Sequence, residues 1–139
     1  MSIDVLIVDD SLTIRAMIKK ALQLSLPDLG QVYEAENGIL ALARLAEKEV
    51  GLIMTDLNMP RMNGLQLIEK IKRQPKYANI PVIVISTDGS SERISELEQQ
   101  GIRGYLRKPF RPEQLKQVLS EVLEMSYDHQ TNNTNDCDF

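Results

Sequence analysis

The chain of 139 residues contains one cysteine, Cys137, and one histidine, His129. A lone cysteine cannot close an internal disulfide. A lone histidine excludes most zinc clusters and any Ser-His-Asp or Cys-His site built around an ordered core histidine. No apolar run approaches the ~20 residues that a membrane span needs. The start, MSIDVLIVDD, places Asp4 before its apolar run and two acids after it, unlike a signal peptide, so a cytoplasmic protein is expected. Excess basic charge is also missing. Sixteen Lys and Arg face twenty acids, giving a net charge of −4 and a pI near 5.0, which argues against direct nucleic-acid binding. The length suits one domain that buries roughly 68–70% of its unfolded surface, enough for a core without staples.

What is present is an alternation of short apolar runs with helical stripes. Asp4 to Val8, Gln31 to Ala35, Leu52 to Thr55, Val82 to Ser86 and Gly104 to Arg107 read as strands, enriched in β-branched or aromatic residues. Ile14, Ile18, Ala21 and Leu22 form one helical stripe, and Leu115, Val118, Leu119, Val122 and Leu123 form another. Ile39, Leu42, Leu45 and Ala46 suggest a further helix, as do Leu65, Ile68 and Ile71. The segment Ser91 to Gln100 offers only Ile94 and Leu97 as large anchors and is expected to pack least firmly. Asn37-Gly38, Asn63-Gly64 and Pro112-Glu113 mark helix starts, and Pro81 precedes the fourth strand. Five strand–helix units imply right-handed crossovers and an α/β doubly wound parallel sheet with helices on both faces. After Met125 the composition turns polar, so residues 1–125 are expected to form the domain and 126–139 a flexible polar tail.

In such a sheet, ligands gather at the carboxyl ends of the strands. Asp9 and Asp10 follow the first strand, Asp56 the third, Ser86 and Thr87 end the fourth, and Lys108 follows the fifth. Three neighbouring acids repel one another, and a divalent cation relieves the repulsion; oxygen-only ligands favour Mg²⁺. Carboxylate, Mg²⁺, ammonium and hydroxyl together are what phosphoryl transfer to a carboxylate requires. Taken singly, each has a plainer reading. Asp9 and Asp10 could be turn formers or caps, Lys108 an exposed lysine, Ser86 a hydroxyl bonded to backbone, and Tyr105 core packing with its hydroxyl reaching solvent. Complementary groups at four separate strand ends outweigh those readings for the acids, Ser86 and Lys108, whereas for Tyr105 the residues alone favour core packing. A hydrolase passing through phosphoaspartate is disfavoured because the acid pair is adjacent rather than Asp-x-Asp. A flavin or dinucleotide binder lacks its Gly-rich first loop.

The residues VDD (8 to 10), TDLNMPRMNG (55 to 64), VIVIST (82 to 87) and GYLRKPF (104 to 110) resemble the receiver domains of two-component response regulators, with motif order and spacing matching from Met1 to about Met125. With no recognisable output domain following, the chain is most similar to stand-alone, CheY-like regulators. The resemblance implies a flavodoxin-like sheet of order 2-1-3-4-5 and a phosphorylation-activated switch, fed by a histidine kinase or histidine phosphotransfer protein. Its output would pass through binding to another protein, with chemotaxis one compatible setting. It also implies Asp56 as phosphoacceptor and Asp10 as a direct Mg²⁺ ligand, with Asp9 acting largely through water. Asp56 itself and the Asn58 carbonyl would share the ion. Lys108 would meet the phosphoryl group, with the Lys108-Pro109 bond cis. Ser86 and Tyr105 would be the switch residues. Such a domain catalyses its own modification and is not a turnover enzyme. Two positions depart from the commonest pattern: Thr87 stands where many relatives carry Ala, and Asp88, with Asn58, flanks the path of an attacking water.

Overall fold

The computed structural model describes the backbone of residues 2–135 and side-chain surroundings through residue 123. Cys137 lies outside the described residues. Strands β1 (Ile3–Val8), β2 (Leu29–Ala35), β3 (Leu52–Thr55), β4 (Val82–Ser86) and β5 (Gly104–Arg107) alternate with helices α1 (Leu12–Ser25), α2 (Gly38–Glu47), α3 (Gly64–Arg73), α4 (Ser91–Gln99) and α5 (Pro112–Asn135). All strand pairings are parallel, in the order β2-β1-β3-β4-β5. The expected flavodoxin-like sheet is therefore observed.

The apolar strands lack alternation because both faces of the sheet are covered. Val5, Ile7, Leu52, Met54, Ile83 and Ile85 point into one core with Ile18 and Leu22 of α1 and Leu115, Leu119 and Val122 of α5. Their neighbours Leu6, Val8, Ile53, Val82 and Val84 point into the other, against α2, α3 and Leu97 of α4. Strand order reverses between β1 and β3, the first strand running on to β2 on one side while the chain later crosses to β3 and β4 on the other. The crevice at the carboxyl ends of β1 and β3 is thus the topological switch point.

Local chemistry starts the helices where the sequence places their caps. Ser11 Oγ accepts from the Ile14 amide at 3.2 Å, Asn37 Oδ1 from Leu40 at 2.9 Å, and Ser90 Oγ from Arg93 at 3.3 Å. Asn63 and Gln66 form a reciprocal capping box. Three details differ from the sequence reading. β1 and β2 begin earlier than Asp4 and Gln31, because Ile3 pairs with Leu29 across an irregularity that Asp4 steadies by accepting from the Gln31 amide at 2.8 Å. In α2 the inward residues are Gly38, Ala41 and Leu45, whereas Ile39 and Ala46 are exposed. The helix is turned by contact at its start: Met62 occupies the space a Cβ on Gly38 would need, and the Gly38 amide donates to the Met62 carbonyl at 3.1 Å. Finally, α5 stays helical past Met125, in a segment with no Gly or Pro to stop it.

Candidate phosphoacceptor site

Apolar β3 drives straight through the core and delivers Asp56 to the rim, where it is 7% exposed. Asp56 is pinned on all sides. Its amide donates to the Val8 carbonyl at 2.9 Å, and its carbonyl accepts from Thr55 Oγ1 at 2.9 Å. Its Oδ1 accepts from the Leu57 amide at 2.7 Å, leaving Oδ2 to face Lys108 Nζ at 3.2 Å. The loop that follows doubles back: the Gly64 amide donates to the Leu57 carbonyl at 2.9 Å, and a Cβ on Gly64 would collide with the Asp56 carbonyl oxygen. Arg61, with φ of 66°, makes the left-handed step inside that loop.

β1 delivers Asp9 and Asp10 beside it. Asp9 is buried, with Oδ2 accepting from Lys108 Nζ at 2.8 Å and Oδ1 from the Ser11 amide at 2.9 Å. Asp10 is exposed, and among the described residues its carboxylate takes no hydrogen bond or ion pair. Oxygens of Asp9, Asp10 and Asp56 nevertheless lie within 4.8 Å of one another. Lys108 reaches this rim from the end of β5, held by its amide bond to the Ser86 carbonyl at 2.8 Å and followed by a cis bond to Pro109.

Burial pushes the Asp56 carboxyl above its ordinary range. Lys108 pulls it back and the Asp9 charge adds to the rise. Burial acts to lower Lys108, but its bonds and charge interactions with Asp9 and Asp56 prevail and raise it. Three carboxylates facing one ammonium leave two negative charges uncompensated, the complement of a divalent ion. The donors are all oxygen, which suits Mg²⁺. The acidic cluster therefore fits a Mg²⁺ site.

The remaining predicted residues surround this centre without joining it directly. Asn58 is exposed in the loop after Asp56. Ser86 is fully buried, its Oγ accepting from the Asp88 amide at 3.2 Å. The Tyr105 ring already lies inward, with its hydroxyl buried and lacking a partner of good geometry, rather than reaching solvent. Burial pushes the Tyr105 phenol above its ordinary range, with Ser86 opposing and the charges of Asp88 and Asp56 adding to the rise. Thr87 is exposed, and Asp88 is drawn toward α4 by Arg93 at 3.3 Å and the Ser90 amide at 3.2 Å.

One residue escaped the sequence reading. Arg15 is largely buried, its Nη1 donating to the Asp9 carbonyl at 2.6 Å and its Nε to Glu34 Oε1 at 2.9 Å. The available signal was a cation three and seven residues before Ile18 and Leu22, on the border of the apolar stripe of α1.

A buried carboxylate, two companion acids and an ammonium paired with them at the switch point of a parallel sheet are the groups of a phosphoacceptor domain working with Mg²⁺. Comparison with known proteins agrees. The family model of the response regulator receiver domain matches residues 5–120, and the chain belongs to that family. A chemotaxis protein CheY homolog of Campylobacter jejuni is 40% identical over 121 residues, 85% of this chain and 90% of that protein. Chemotaxis protein CheY1 of Helicobacter pylori is 40% identical over 120 residues, 85% of this chain and 94% of its own. The solved structure of chemotaxis response regulator CheY4 of Vibrio cholerae superposes with a TM-score of 0.79 at 34% identity, covering 88% of this chain and 99% of that one. The protein is a phosphorylation-activated, CheY-like receiver of a two-component phosphorelay. It acts through aspartate phosphorylation and is not a turnover enzyme. A histidine kinase or phosphotransfer partner is typical of this family. Among the described residues, no helix is long and apolar enough to cross a membrane.

Proposed function

We propose that Asp56 is the phosphoacceptor of a cytoplasmic, chemotaxis-type switch. The observation that carries this reading is the asymmetric seating of its carboxylate, one oxygen tied to the Leu57 amide and the other facing Lys108 beside Asp9 and Asp10. A carboxylate oxygen of Asp56 attacks phosphorus, the bond from phosphorus to the histidine nitrogen of the donor breaks, and the imidazole leaves. Asp10, Asp56 and the Asn58 carbonyl would hold Mg²⁺ directly, with Asp9 acting largely through water. Mg²⁺ held there would supply charge neutralisation for the transfer. Lys108 releases Asp9 and turns to the arriving phosphoryl group. Later hydrolysis of the acyl phosphate resets the switch.

Ser86 and Tyr105 carry the signal outward. A hydroxyl drawn from Asp88 toward the new charge leaves room beside the Tyr105 ring, which already lies inward and is held there. The output face is that of α4, β5 and α5, where a groove of about 350 Å³ is lined by Ile94, Tyr105, Arg107, Gln117 and Val118. The names of the relatives at 40% identity favour a chemotaxis output. Residues 1–125 form the switch, and 126–139 are dispensable for it.

Incubation with acetyl phosphate and Mg²⁺ is expected to add one phosphoryl group by intact mass, acid-stable and hydroxylamine-labile. Asp56→Asn should abolish the adduct and leave the circular dichroism spectrum unchanged. Labelling of that variant at the normal rate would place the nucleophile elsewhere.

A further inference from the structure

We infer that Arg15 is a positioning residue for the metal site, acting through the peptide bond between Asp9 and Asp10. The inference rests on the assignment of Asp10 as a direct Mg²⁺ ligand. Asp10 is the one acid of the cluster with no side-chain partner to aim it. Its direction is therefore set by its backbone. That backbone is held at both ends of Asp9: the Asp9 amide donates to the Ala35 carbonyl at 3.0 Å, and the Asp9 carbonyl accepts from Arg15 Nη1 at 2.6 Å.

The Asp9 carbonyl and the Asp10 nitrogen share one planar peptide unit, so a clamp on the oxygen fixes the plane from which Asp10 departs. The guanidinium suits this work because it is itself planar and held at a second point. Its Nε is occupied by Glu34 of the neighbouring strand, and only 13% of the Arg15 side chain is exposed. The Glu34 carboxylate also offsets the Arg15 charge, so the contribution is geometric rather than a second counter-charge to the cluster. Without the clamp, mutual repulsion of three carboxylates would swing Asp10, the exposed one, outward into solvent.

The test measures Mg²⁺ binding directly, by calorimetry or amide-shift titration without phosphodonor. Arg15→Ala should weaken Mg²⁺ about tenfold, the lower end of what outer partners of metal ligands contribute. Arg15→Lys, which keeps a donor for the carbonyl but loses the fork to Glu34, should weaken it by roughly half as much on a logarithmic scale. In phosphorylation by acetyl phosphate, the loss should fall on the Mg²⁺ half-saturation point more than on the rate at saturating Mg²⁺. Val50→Ala, a core truncation remote from the rim, lowers the melting temperature and should leave Mg²⁺ affinity unchanged. Unaltered affinity in Arg15→Ala, or an equal loss in Val50→Ala, would overturn the inference. Asp10→Asn separates the two levels: if it binds Mg²⁺ like the parent protein, the ligand assignment itself is wrong. If it loses affinity while Arg15→Ala does not, only the clamp is wrong.

Discussion

Gly64 stands directly beneath Asp56, and the absence of a side chain there is what lets the loop return under the strand end. A methyl group would press on the Asp56 carbonyl oxygen and on the Leu57 Cα, both backbone atoms fixed by the hydrogen bonds of Asp56 to Val8 and of Gly64 to Leu57. Backbone cannot step aside as a flexible side chain can. Gly64→Ala is therefore expected to destabilise by ~1–3 kcal/mol, as overpacking of a fixed interior does, and to slow phosphorylation by displacing Asp56. Urea unfolding and acetyl phosphate labelling of the variant check both effects. Parent-like values for both would show that the loop gives way without strain.

At the scale of elements, α4 is the weakly held member. It buries Leu97 alone, whereas α3, of nearly the same length, buries Leu67, Ile68 and Ile71 along with Gly64. Its start is tied by surface groups instead: the Ser90 cap and the pairs from Arg93 to Asp88 and Glu96, each at 3.3 Å and partly exposed. Exposed pairs of this kind contribute little. Amide hydrogen exchange should accordingly be faster through α4 than through α3, and Leu97→Ala should cost ~2–5 kcal/mol while raising α4 exchange further. Equal protection of the two helices would remove α4 as the moving part. The tyrosine beside it points the same way. The Tyr105 hydroxyl is buried without a partner, which is costly, so a small rearrangement beside α4 that brings a group to meet it is favoured.

For the whole molecule, the two uncompensated negative charges at the rim exist only when the sheet brings the ends of β1 and β3 together. The unfolded chain has no equivalent site, so Mg²⁺ binds the native state and stabilises it by mass action. At ten times its dissociation constant the gain is about 1.4 kcal/mol, or roughly 4–6 °C in melting temperature for a domain of this size. Chelation should reverse the shift, and Asp10→Asn should shrink it. A melting temperature indifferent to Mg²⁺, or an undiminished shift in Asp10→Asn, would contradict the site.

The sequence by itself determined the elements and the cast of the site. A strand buried on both faces must be apolar at every position, so Val5 to Val8 and Val82 to Ile85 announce themselves without any partner. Caps such as Ser11, Asn37 and Asn63 act on amides within three residues and are equally local. The acids at strand ends and Lys108 were legible for the same reason, since a polar residue closing an apolar run marks the rim. Tertiary structure decided what depends on neighbours distant in the chain. Lys108 meets Asp9 across 99 residues, and Arg15 meets Glu34 across 19 because β2 lies beside β1. The rotation of α2, set by Met62 against Gly38, and the inward burial of the Tyr105 hydroxyl are likewise packing outcomes. Periodicity records which residues can share a face; only the packed neighbours select which face turns inward.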